Sequence, residues 1–163
     1  MMKITVARID DRYIHGQVLT KWIKLLPAER IIVVSNEVAN DPMRKTLVLS
    51  VAPSNVKASA VTPEKMGRVF KNPKYADTTA MLLFGNPSEI VTAVEAGVDI
   101  KVVNVGGMRF DPSKKQVTEA VSVTPEDVAA FKKLHELGVE LELRQLPGDS
   151  KQDFMKILDT KLG

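Results

Sequence analysis

Ile4-Thr5-Val6-Ala7-Arg8-Ile9-Asp10-Asp11-Arg12-Tyr13-Ile14-His15-Gly16-Gln17 is the stretch from which the fold can be read. Residues 4–9 are rich in β-branched side chains and the run is too short for a helix, which predicts a strand. The period then changes. Ile14, Val18, Trp22 and Leu25 recur at helical spacing, Leu19, Ile23 and Leu26 widen the stripe, and Lys21 and Lys24 fall on the other side. A helix is predicted from about His15 to Leu26. A strand, a short polar loop and an amphipathic helix make the opening half of a β-α-β unit.

The same alternation continues outward. Further strands are predicted at residues 30–35, 56–61, 79–84, 100–105, 117–123 and 140–145. Several are apolar almost throughout, as suits strands covered on both faces of a parallel sheet. Helices announce themselves by their starts. Asn40-Asp41-Pro42, Thr62-Pro63-Glu64, Asn86-Pro87-Ser88-Glu89 and Thr124-Pro125-Glu126-Asp127 each set a capping side chain before a proline at the first helical position. Gly97 and Gly138 stand where helices should end, and residues 150–162 predict a closing helix carried by Phe154, Ile157 and Leu158. The predicted fold class is α/β: a three-layer sandwich with a mostly parallel central sheet of about six or seven strands and helices on both faces. A single domain over residues 1–163 is expected, with residues 106–116 as the one long irregular connection.

Composition narrows the function. The chain has 163 residues, 44% hydrophobic and 26% charged, enough to bury roughly 70% of its unfolded surface and hold a core unaided. It has no cysteine, which excludes disulfides, thiolate catalysis and Cys-built zinc or iron–sulfur sites. Two histidines leave little for a His-rich metal site, so neither a metal nor a cofactor is expected. The net charge is +3, aromatics are 5%, and Lys and Arg are dispersed. That is not the basic stripe of a nucleic-acid binder, and no nucleic-acid partner is expected. No apolar run approaches the roughly 20 residues of a membrane span. The charges at Lys3, Arg8, Asp10, Asp11 and Arg12 are unlike a secretory signal, so a cytoplasmic protein is expected.

In α/β folds, ligands bind beyond the carboxyl ends of the strands. The segment after the first strand, residues 10–17, is dense in chemistry there. His15 falls at a helix N-terminus, where backbone N–H groups and the dipole attract phosphate. Arg12 lies three residues earlier, and a guanidinium fork matches phosphoryl oxygens. Asp10 is suited to hold the ring in one tautomer. A neutral imidazole beside a phosphate cradle is equipped for nucleophilic phosphoryl transfer.

Other readings fail on particular residues. Paired acids after the first strand suggest a receiver domain, which also needs an aspartate after the third strand and a lysine after the fifth. Thr62-Pro63 and Gly106-Gly107 stand there instead. Neither GxGxxG after the first strand nor GxxxxGK[ST] is present. His135, within Lys132-Lys133-Leu134-His135-Glu136, reads as a solvated helix position, and Trp22 reads as core. Ser35 and Ser59 lack a histidine and acid at hydrolase spacing.

The segment Ala7-Arg8-Ile9-Asp10-Asp11-Arg12-Tyr13-Ile14-His15-Gly16-Gln17-Val18 resembles the active-site signature of the enzyme IIB components of the mannose–fructose–sorbose family. These belong to the bacterial phosphoenolpyruvate:sugar phosphotransferase system. The resemblance extends in order through IIVVSNE (31–37), RKTLVLSVAP (44–53), VNVGGM (103–108) and GVELE (138–142), and looks closest to the fructose- and mannose-type members. Tyr13 departs mildly, standing where leucine or phenylalanine is frequent.

The resemblance implies a IIB phosphocarrier. His15 would take a phosphoryl group on Nδ1 from a phosphohistidine of a IIA component and pass it to a sugar, fructose or mannose by preference. The sugar would arrive through the membrane components IIC and IID. Arg12 and Asp10 join His15 as the implied catalytic set, and Arg12, Gly16 and Gln17 as the phosphoryl-binding set. Arg8, Gly106 and Gly107 are implied as support. A homodimer is left open, and the alternative is a regulatory relative that binds a phosphorylated partner. Arg12, Lys21, Lys24 and Arg109 are candidates for a basic rim facing an acidic partner.

Overall fold

A computed structural model describes residues 1–162, apart from the side chains of Gln17 and Val18. The elements run β1 (Lys3–Asp10), α1 (Gly16–Leu25), β2 (Arg30–Val34), α2 (Asn36–Ala39), α3 (Pro42–Ser50), β3 (Lys57–Val61), α4 (Pro63–Lys71), β4 (Thr79–Phe84) and α5 (Pro87–Glu95). They continue with β5 (Val102–Gly107), β6 (Lys115–Gln116), β7 (Ser122–Val123), α6 (Pro125–Glu136), β8 (Glu140–Leu143), β9 (Gln152–Asp153) and α7 (Phe154–Leu162). Seven strands form one sheet in the order β3-β2-β4-β1-β5-β8-β9, parallel except for the β8–β9 pair. Among the described residues no helix is long and apolar enough to cross a membrane.

Local chemistry starts the helices. The side chains of Asp41, Thr62, Asn86 and Thr124 accept the N–H of Arg44, Lys65, Glu89 and Asp127, each with proline next in sequence. Asp153 does the same for α7, its Oδ1 accepting from Met155 and Lys156. That cap starts the helix at Phe154 rather than near residue 150, and residues 152–153 add the antiparallel edge strand β9.

The strands sort their side chains by alternation. Ile32 and Val34 of β2 and Leu82 and Phe84 of β4 face a cluster closed by Met66, Phe70, Ile90, Phe131, Leu134, Phe154 and Leu158 of α4–α7. Ile31, Val33, Met81 and Leu83 face the opposite side, under Leu19 and Trp22 of α1 and Val38 of α2. Helices thus cover both faces. On the α1 side, however, the apolar cluster holds no residue of β5 or β8.

One irregularity in β1 places the later chemistry. Ile4 pairs with Ala80 but Val6 with Met81, so Thr5 is an extra residue in the ladder. The slip flips the face of all that follows. Ile4 packs on the α4–α7 side, whereas Val6 lies with Trp22 on the α1 side. Arg8 and Asp10, in step with Val6, are carried to the α1 side as well.

The predicted strand at 117–123 is not continuous. The chain reverses within it: Val117 and Thr118 donate their N–H to Val121 O at 2.9 and 3.0 Å. The short strands β6 and β7 pair with each other instead, outside the main sheet. Gly106 and Gly107, assigned to a connection by sequence, end β5.

Candidate functional site

Beyond the carboxyl end of β1, the loop to α1 turns tightly. Tyr13 donates its N–H to Asp10 O at 2.8 Å, and Asp11 donates its N–H to Gly107 O at 3.1 Å. Tyr13 has φ +59°, a left-handed conformation that costs a side-chain-bearing residue about 1–2 kcal/mol. Burial of the ring offsets that cost, and the hydroxyl is hydrogen-bonded to Ser35 Oγ at 3.0 Å. Burial also pushes the Tyr13 phenol above its ordinary pKa, against the opposing effect of the Ser35 bond. Gly85 leaves room for this ring, since a Cβ there would overlap the phenol. The turn so made presents His15 at the N-cap position of α1, with Gly16 at φ +31° opening the helix.

Asp10 is the hub. It is 1% exposed. Its Oδ1 accepts from the Arg12 backbone N–H at 3.1 Å and faces Arg12 Nε at 3.5 Å. Its Oδ2 lies 3.0 Å from His15 Nε2 and 3.6 Å from Arg8 Nη2. A carboxylate can only accept, so Nε2 carries the hydrogen and donates it to Asp10. In the neutral ring the lone pair is then on Nδ1. The His15 side chain is 27% exposed and that of Arg12 46%, so both can meet a second molecule.

Arg8 stands behind Asp10, 2% exposed. Nη1 donates to Asn104 Oδ1 and to Arg144 O, the latter at 3.0 Å, and its Cζ lies 5.4 Å from the centre of the Trp22 ring. Burial lowers the Arg8 pKa, and the neighbouring Asp10 works against that fall. A Cβ on Gly106 would overlap the guanidinium, so the absence of a side chain there is what admits Arg8. The Trp22 indole N–H donates to Gln145 O at 3.0 Å, tying α1 to the end of β8. Asp11 faces the other way. Its Oδ2 accepts the Arg109 N–H at 2.8 Å, which pins the segment after β5 to the loop after β1.

The structure thus brings Arg8, Asp10, Arg12, His15, Gly16, Gly106 and Gly107 to one place. The Gln17 side chain lies outside the described residues. Lys21 and Lys24 are exposed on α1, Arg109 is exposed beside Asp11, and His135 is exposed on α6. Sequence reasoning did not single out Asn104 or the Arg144 carbonyl. The only signal for Asn104 was a polar residue inside the apolar run 102–105.

A central strand whose neighbours β4 and β5 lead to helices on the opposite face from α1 makes a crevice at its end. At that crevice stands a carboxylate-oriented histidine with an exposed arginine beside it, the arrangement of a phosphoryl-accepting α/β protein. The chain belongs to the sorbose-subfamily IIB components of the phosphotransferase system, whose family model matches residues 4–162. It is a IIB phosphocarrier, a protein-phosphohistidine–sugar phosphotransferase.

It is 63% identical over 158 residues to the fructose-specific EIIB component of Bacillus subtilis, covering 97% of each chain. It is 54% identical over 157 residues to the mannose-specific EIIAB component of Escherichia coli, covering 96% of this chain and 49% of that one. A solved structure described as a phosphoenolpyruvate-dependent phosphotransferase system superposes with a TM-score of 0.96 at 62% identity, covering 98% of this chain and 99% of that one.

Proposed function

We propose that His15 is the phosphoryl acceptor of this carrier and that Nδ1 is the atom that reacts. The observation that carries the reading is the 3.0 Å bond from His15 Nε2 to Asp10, which leaves the Nδ1 lone pair for attack. The N–P bond of a phosphohistidine on the IIA donor breaks as the Nδ1–P bond forms. The proton on Nε2 stays in its bond to Asp10. The two bonds are alike, so transfer is nearly isoenergetic and depends on alignment and charge stabilisation. Arg12 supplies an exposed guanidinium for the phosphoryl oxygens, with the start of α1 at Gly16 behind them.

Residues 1–163 then act as one IIB domain in the cytoplasm, loaded by IIA and unloaded to a sugar at the IIC and IID permease. Fructose is favoured as that sugar by the likeness to the fructose-specific relative, with mannose second. The test is phosphorylation with phosphoenolpyruvate, enzyme I, HPr and a IIA protein, read by intact mass before and after brief acid treatment. The unaltered chain is expected to gain one acid-labile phosphate and His15→Ala none. A gain that persists in the variant defeats the assignment.

A further inference from the structure

Asn104 sits on β5, level with Arg8 in the β1–β5 register and with Glu142 in the β5–β8 register. It is 2% exposed, and its Oδ1 accepts from Arg8 Nη1. Its Nδ2 is buried and has no hydrogen-bond partner among the described residues. An unused buried donor costs stability, so this residue type is a poor choice for packing alone. What the amide supplies is a neutral acceptor. A carboxylate at 104 would also bind Arg8, but would draw the guanidinium charge away from Asp10. The amide oxygen holds Arg8 in place and leaves its full charge facing Asp10.

We propose that Asn104 is a positioning residue for phosphoryl transfer: it fixes Arg8 as an undivided positive charge beside Asp10, and so holds the carboxylate where it orients the His15 ring. The inference rests on His15 being the acceptor. An Arg8 shared with a second carboxylate would hold Asp10 less firmly, and the His15 ring would lose the partner that fixes its direction and tautomer.

The charged groups around Arg8 agree with this role. Asp10 and Arg12 come from its own strand and the loop that follows, while α1 presents the uncharged Trp22 ring. From β8 and its end come Glu142 and Arg144, which face each other at 3.9 Å. By register, Asn104 stands between Arg8 and the Glu142 carboxylate that would otherwise be its neighbour.

The test is Asn104→Asp in the full chain, with the rate of phosphoryl uptake from phosphorylated IIA measured beside the nitrogen NMR shifts of the His15 ring, which read its tautomer. The variant keeps an acceptor for Arg8, so a purely structural Asn104 predicts unchanged shifts. The proposal predicts that the shifts move from the Nε2–H form toward a mixture of tautomers and that uptake slows by roughly threefold to tenfold. Asn104→Ser, neutral and shorter, is expected to keep the Nε2–H form and slow uptake by about threefold. Unmoved shifts in the folded aspartate variant overturn the proposal. If that variant does not fold, a serine variant at the unaltered rate overturns it. Failure of the unaltered chain to take up acid-labile phosphate is a separate result, and it removes the His15 reading instead.

Discussion

Two carboxylates at the same crest of the sheet show how surroundings divide one chemical group between two tasks. Asp10, at the end of β1, is ringed by Arg8, Arg12 and His15. Glu89, in the first turn of α5, accepts the Asn36 N–H at 2.6 Å and the Asn86 amide at 2.9 Å. Among the described residues it makes no ion pair. Burial therefore pushes the Glu89 carboxyl above its ordinary pKa, while the two donated hydrogen bonds oppose the rise. The carboxylate among cations fixes the direction of the His15 ring. The one without them ties the segment after β2 to the segment after β4. Tyr13 stands between, its hydroxyl bonded to Ser35 just beyond β2.

The contrast breaks most visibly at Asp10. Asp10→Asn strips the charge that faces the buried Arg8 guanidinium, and a urea titration should show stability falling by about 3 kcal/mol. Phosphoryl uptake should fall by about a hundredfold or more, since the ring loses its fixed orientation. A variant of full stability would mean that Asn104 and the Arg144 carbonyl satisfy Arg8 alone. Tyr13→Phe removes only the hydroxyl at the joint between the two regions. Its cost should be about 1 kcal/mol in the same titration, because Ser35 Oγ continues to accept from Val38.

Glu89→Gln should have the smallest effect, and a pH-dependent one. A carboxyl whose folded pKa is raised binds its proton more tightly in the folded state than in the unfolded chain. The unaltered protein therefore gains stability as pH falls through the window between the raised value and the ordinary 4.5, and loses it as pH rises through the same window. Glutamine cannot titrate. The melting temperature of the unaltered protein minus that of the variant should thus decline with rising pH across that window. A flat difference would show that its surroundings do not raise the Glu89 carboxyl.

What was legible in the sequence was what local chemistry decides. The four cap-plus-proline starts are seen at Asp41, Thr62, Asn86 and Thr124 because a cap needs only its own next three residues. The His15–Asp10 pair was legible for the same reason, the two being five residues apart. The break within 117–123 was not, because β-branched content does not say where a chain reverses. Nor was the face of Arg8, which turns on an extra residue at Thr5 that exists only in the pairing with β4. Asn104 meets Arg8 across 96 residues of sequence, a contact that only the strand order creates.

The start of α1 has a last consequence. Helices α2 to α6 each begin with a capping side chain, whereas His15 occupies the cap position of α1 without making that bond, and no acid stands in the first turn. On the reading proposed above, a phosphoryl group on His15 would place an anion on the cap residue itself, beside the partial positive charge of the helix start. The cargo would then stand where α2 to α6 set a capping side chain.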